Sequence, residues 1–435
     1  MTGARGWAAR LGLGEGTFAV GLSLGVLGLT SYGFLAVAGR ALGPERYAPL
    51  ATLWTLVFLG GTGFFLPLEQ EIARAYAARG GGAVLRRAAA IGAALAALLA
   101  VALVAGRGPL LAEVFDGDAL LLVSLVLALG AYYAEFVVRG ALAGTGRFGR
   151  YAVLLGTEGA ARFVACAVLA VAGVRTAGPY GLTLALAPLL ATAVAARGQA
   201  ALLRDPAPPA PWRAVGTSIG YLLATAVLSQ ALVNAAPIVL KALARPEENA
   251  LAGRFLACLV IARIPLFLFG AVQAALLPSL AALAGTSIGG FVRHLRRTFV
   301  ALAVFAAVST VATLAAGPFV VRLLFGAEFA LGTRDLALLA AGNNVYLLAV
   351  VLSQALVALS LHRRAALGWV AGVAAFAVVT AAVSPLLLRV ELGLLAGAVA
   401  ALAVFAGLVA ASVRTAVRAP TGADVAEAAH APLKP

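Results

Sequence analysis

The sequence predicts an all-α integral membrane protein of about twelve transmembrane helices, built as two like-oriented six-helix bundles. Three observations carry this. The 435 residues are 63% hydrophobic and only 11% charged, too few charges to cover a soluble protein of this size. Residues 17–39, 47–68, 214–240, 298–321, 336–361, 365–388 and 392–413 contain no charge, and a span needs about 20 apolar residues to cross roughly 30 Å of hydrocarbon. The chain also repeats itself. Apolar stretches fill 17–196 and again 214–416, and short signatures recur in the same order. Arg40-Ala41-Leu42-Gly43-Pro44-Glu45 is echoed by Lys241 to Glu247, Leu85-Arg86-Arg87 by Leu295-Arg296-Arg297, and Gly108-Pro109 leading to Phe115 by Gly317-Pro318 leading to Phe325. Two parallel repeats around a central site suit alternating access.

Taken in order, the expected spans are 17–38, 50–68, 88–105, 119–143, 151–173 and 177–196, then 216–240, 251–281, 298–316, 333–361, 365–388 and 392–413. Trp7 between Arg5 and Arg10 suits a short interfacial helix, and the first apolar run is too long for a cleavable signal. Gly60-Gly61-Thr62-Gly63 with Pro67 loosens the second span; Pro265 and Pro278 loosen the eighth. Residues 1–196 form an N-terminal lobe and 214–416 a C-terminal lobe. Between them 197–213, with Pro206, Pro208, Pro209 and Pro211, is a stiff cytoplasmic linker, and 417–435 a cytoplasmic tail.

A net charge of +15 points to nucleic acid until the charges are placed. With both termini inside, 20 of the 32 Lys and Arg residues fall in cytoplasmic segments, 10 in outer loops, and two, Arg162 and Arg263, within spans. That bias fixes orientation in a bacterial plasma membrane, and the surplus faces anionic lipid headgroups, so membrane lipids and not nucleic acid are the expected partners. Cys166 and Cys258 read as small core residues, and His294, His362 and His430 share no ligand spacing, so no metal or cofactor is expected. No G-x-x-x-x-G-K-[ST] loop is present. Glu113, Asp116 and Asp118 read as an acidic turn rather than the metal site of an enzyme.

An ionisable group at membrane depth costs about 2.5–3.5 kcal/mol on insertion scales, so each needs a reason. Arg263 lies near the midplane with no acidic residue a turn away on its own helix. A partner on another helix, a carbonyl freed by Pro265, or an anionic substrate would each explain it. Glu135–Arg139 and Glu158–Arg162 are four apart in the favourable order for same-helix ion pairs on adjacent spans. They read either as a cross-helix network or as a cavity wall, Arg139 and Arg162 holding phosphate and Glu135 and Glu158 exchanging protons. Asn234, Asn343, Asn344, Gln230, Gln273 and Gln354 are amides within spans that tie helices together or bond sugar hydroxyls; Tyr132, Tyr133 and Tyr346 could stack on sugars.

With these residues in view the chain resembles the polysaccharide flippases of the O-antigen (Wzx-type) branch of the multidrug/oligosaccharidyl-lipid/polysaccharide exporter superfamily. The likeness rests on Gly39 to Tyr47, on Arg263-Ile264-Pro265-Leu266-Phe267 running to Leu277-Pro278-Ser279-Leu280, and on Leu324-Phe325-Gly326-Ala327-Glu328-Phe329. It implies a V of two bundles, the MATE-like fold. It also implies a non-enzymatic transporter carrying an undecaprenyl-pyrophosphate-linked saccharide from the inner to the outer leaflet, beside a polysaccharide polymerase or glycosyltransferases. Arg263, Arg162 and Arg139 would attract the pyrophosphate. The lipid II flippases differ in having fourteen spans and arginines in the first, and the cation-coupled drug exporters in an acidic residue there; residues 17–38 have neither. A cation-coupled multidrug antiporter of the same fold is the alternative, dependent on Glu135 or Glu158.

Overall fold

The first helix, α1 (Glu15–Gly60), cannot be one crossing. At 1.5 Å per residue its length would be about 69 Å, more than twice the hydrocarbon thickness. It folds back at Gly43, whose φ of 72° lies in the left-handed region that glycine tolerates, and Pro44 starts the return limb. The reversal brings Phe34 onto Trp54, stacked at 5.6 Å. A π-helical turn, Gly61–Phe65, then leads into α2 (Leu66–Arg79). This is the loosening expected of the Gly-rich stretch and Pro67, whose missing N–H leaves the usual ladder incomplete.

The computed structural model describes residues 15–79, 82–199, 212–284, 286–359 and 361–418. The region around Trp7, the prolines of the linker and the tail from Ala419 lie outside the described residues. The remaining helices of the first half are α3 (Gly82–Ala105), α4 (Ala119–Gly144), α5 (Phe148–Val171) and α6 (Ala177–Ala196). The acidic turn has defined work: Asp118 caps α4 by accepting from the Leu120 N–H at 3.0 Å. The second half holds α7 (Trp212–Leu243), α8 (Asn249–Ala262), α9 (Ile264–Ala284), α10 (Ile288–Leu324), α11 (Thr333–Ala358), α12 (His362–Ala382) and α13 (Leu386–Arg418).

Ten helical stretches among the described residues are long and apolar enough to span a bilayer. The first of these crosses twice because of Gly43. The expected eighth span is two shorter helices, α8 and α9, broken at Arg263 just before Pro265. Among the described residues the passes therefore number twelve. Helices of the first half pack mainly on each other, α1 on α5 and α6 on α4 and α5. Those of the second half do likewise, with α13 against α11 and α12 and α7 against both α12 and α13. The repeat carries through to the breaks: Gly61 stands seventeen residues after Pro44, and Arg263 seventeen after Pro246.

The two bundles meet along a seam where α1 faces α7 and α8. One end of it, expected from the charge bias to face outward, is closed by two of the stretches that carry the flippase likeness. Tyr47, fully buried, packs edge-on to Phe325 and Phe329 at 6.0 and 5.6 Å. Arg40 donates to the carbonyls of Leu323 and Leu324 at 2.5 and 2.9 Å. Lys241, only 1% exposed, joins Asp116 and Asn249, both at 2.6 Å. Gly253 lets α8 touch the α1 turn, since any Cβ there would strike the Pro44 carbonyl oxygen. Gly253→Leu is therefore expected to wedge the outer seal open. In a chain lacking Cys166 and Cys258, a cysteine at position 32 should become labelled by an impermeant maleimide applied outside; unchanged protection would count against the seal.

Candidate functional site

Two polar assemblies occupy the membrane interior, and they differ in how their charges are answered. The first lies inside the N-terminal bundle. Glu135 and Arg139 on α4 pair at 3.4 Å, and Glu158 pairs with Arg162 on α5, both as the i,i+4 spacing predicts. Arg139 also meets Glu69 of α2 at 3.1 Å and donates to the Tyr151 hydroxyl at 2.8 Å, which in turn donates to Glu69 at 2.8 Å. Tyr132 donates to Glu158 at 2.9 Å. Arg162 reaches Ser31 and Tyr132, each at 3.3 Å, and its guanidinium lies over Trp54 at 5.3 Å.

Three carboxylates thus surround two guanidiniums. The side chain of Arg162 is 1% exposed and that of Arg139 is 14% exposed. The arrangement ties α1, α2, α4 and α5 together, the work of a cross-helix network. Glu69 and Tyr151 were not singled out in the sequence. Glu69 sits just past the charge-free run 47–68, outside the expected second span.

The second assembly is at the seam, and Arg263 is its centre. It is half-buried at the break between α8 and α9. Its Nη1 donates to Asn234 Oδ1 at 3.1 Å and its Nη2 to the Val233 carbonyl, both on α7. Its buried Nε has no partner. Of the three explanations open for this charge, a partner on another helix is present, and that partner is neutral. A freed carbonyl also takes part, but Pro237 on α7, not Pro265, frees it: Pro237 lies four residues after Val233 and has no N–H to give it.

Around Arg263 the groups are uncharged. Asn234 donates to Gln230 Oε1 at 2.9 Å. Gln230 packs on Gly63, inside the π-turn of the other half, so the two helix breaks meet through Gln230 and Asn234. Tyr346 shares a 2.6 Å hydrogen bond with Ser229. Tyr32 packs edge-on to Phe267 at 6.0 Å and, like Tyr346, is within electrostatic reach of the guanidinium. Neighbouring residues of α1 face opposite ways: Ser31 contacts Arg162 in the bundle, Tyr32 faces the seam. Broken helices at matching positions of two repeats mark substrate sites in transporters.

The other predicted residues are dispersed. Asn344 bridges α11 to α10, donating to the Ala306 carbonyl, Ser309 and Thr310 at 2.7–3.0 Å. Asn343 donates to the Leu339 carbonyl of its own helix at 2.8 Å. Gln273 is half-buried on α9, and Tyr133 ties α4 to α3 through the Ala89 carbonyl at 2.9 Å. Glu391 was missed altogether. It is fully buried on α13, and neither carboxylate oxygen has a hydrogen-bond partner. It lies between the charge-free runs 365–388 and 392–413, outside the expected spans.

No protein-family model matches the chain. An uncharacterized protein of Mycobacterium tuberculosis is 28% identical over 373 residues, 81% of this chain and 82% of its own. A second from the same organism is 28% identical over 319 residues, 70% of each. Among solved structures, an inward-facing multidrug resistance MATE family transporter of the MOP superfamily matches with a TM-score of 0.69 at 16% identity, over 90% of this chain and 96% of that one. The lipid II flippase MurJ in an inward closed conformation matches at 0.63 and 12% identity, over 89% and 86%. These likenesses establish the fold as the MATE-like pair of six-helix bundles.

Proposed function

We propose that this protein is a membrane flippase. It moves a lipid-linked oligosaccharide or polysaccharide precursor from the inner to the outer leaflet by alternating access between residues 1–196 and 214–416. The observation that carries the reading is Arg263: a guanidinium at mid-depth on a broken helix, held only by neutral groups and facing the seam. A charge kept there against its insertion cost has an anionic ligand as its natural complement. Amides and tyrosines beside it suit sugar hydroxyls and ring faces. The lipid tail stays in the bilayer through the gap between the lobes. The sealed outer end corresponds to the state that loads from the cytoplasmic leaflet of the plasma membrane, with both termini inside.

The alternative, a cation-coupled multidrug antiporter, needs an unanswered carboxylate facing the substrate. Glu135 and Glu158 instead engage Arg139 and Arg162 within the bundle. Depleting the protein in its host and assaying which leaflet holds each lipid-linked saccharide tests the proposal. Cytoplasmic-side accumulation is the expected result. Normal distribution together with new sensitivity to cationic drugs would favour the antiporter.

A further inference from the structure

We infer that the seam site takes a lipid carrier joined to its saccharide through a single phosphate, a phosphodiester monoanion, rather than through a pyrophosphate. The inference rests on the flippase reading and narrows its substrate class. It follows from the charges available at the site.

Arg263 is the one formal charge among the described side chains that meet there; Tyr32, Ser229, Gln230, Asn234, Phe267 and Tyr346 are neutral. The guanidiniums that the N-terminal bundle commits to its ion-pair network are not in reserve. Arg139 and Arg162 are held by Glu69, Glu135 and Glu158, and withdrawing either would strand a buried carboxylate. With three carboxylates engaging two guanidiniums, that network has no cation to spare for a second anion. At the outer end, Lys241 is committed to Asp116.

A pyrophosphate diester carries two negative charges. Arg263 can answer one, and the other would enter a low-dielectric seam unpaired. A phosphodiester carries one charge on two equivalent oxygens, which matches the two parallel donors of one guanidinium edge. In the state seen here Nε is covered and without an acceptor, and Nη2 is occupied only by the Val233 carbonyl, so this edge takes phosphate once the seam opens. When phosphate takes this edge, the Asn234 amide remains to meet the first sugar.

The test uses the full-length protein in phosphatidylethanolamine/phosphatidylglycerol vesicles, with chelator to exclude divalent cations. Two probes share one prenyl chain and one fluorescently labelled N-acetylglucosamine, joined through either a monophosphate or a pyrophosphate. Leaflet exchange is read as loss of fluorescence to an impermeant reductant. The monophosphate probe is expected to move at least tenfold faster than the pyrophosphate probe, and its movement should be lost in Arg263→Ala. Equal rates, or faster pyrophosphate movement, would overturn this inference and leave the flippase reading standing. No movement of either probe above protein-free vesicles would overturn both.

Discussion

Arg263→Ala should reduce transport by a factor of about 100 or more while leaving insertion and folding intact. Two charge-assisted hydrogen bonds to a phosphate are each worth about 1.5–3 kcal/mol. Their joint loss is a factor of roughly 100 to 10,000, at about 1.4 kcal/mol per tenfold. The folded state loses about 1–3 kcal/mol, the cost of a Val233 carbonyl that Pro237 leaves without a helical donor. The groups Arg263 leaves behind, the Asn234 amide and the Val233 carbonyl, are neutral, and Asn234 keeps its bond to Gln230. Removing the charge also relieves an insertion cost of about 2.5–3.5 kcal/mol. Arg263→Lys separates charge from geometry: a lysine supplies a point charge without the planar fork, so its transport should fall well short of wild type. Vesicle transport and thermal unfolding in detergent, measured on the same preparations, check both. Wild-type transport by the alanine variant would remove the anion site from the mechanism.

Much of this architecture was legible because lipid makes the rules strict. A backbone crossing hydrocarbon must bond to itself, so apolar runs became helices and the repeat became two bundles. Arg263 was legible for the same reason, as a charge where charge is costly. Its partners were not. Asn234 and Val233 precede it by about thirty residues, and only the packing of α7 against α8 brings them together. The Pro237 signal was present, a proline four residues after Val233, but a free carbonyl acquires meaning only when a donor arrives. The Lys241–Asp116 pair joins residues 125 apart across the two halves, beyond any periodicity argument. The ion pairs of α4 and α5 were readable because i,i+4 spacing is local; Glu69, which joins them from α2, was not.

Arg162→Ala should be among the most damaging single changes in the protein, and for a reason opposite to that at Arg263. Arg162 is 1% exposed, and its removal leaves Glu158 buried with the Tyr132 hydroxyl, at 2.9 Å, as its remaining bond. Breaking a buried pair from one side costs about 3–5 kcal/mol, a large part of a protein's total stability. Low yield and a markedly lower unfolding temperature are therefore expected. The double variant Arg162→Met with Glu158→Leu removes both charges at similar volume and should recover most of that loss, since apolar packing replaces buried ion pairs at little cost. Transport in the double variant then decides what Arg162 is for. If it serves the network, restoring the fold restores movement of the lipid-linked saccharide. If its guanidinium contacts the phosphate, the double variant folds and stays inactive, and the site extends from the seam into the N-terminal bundle.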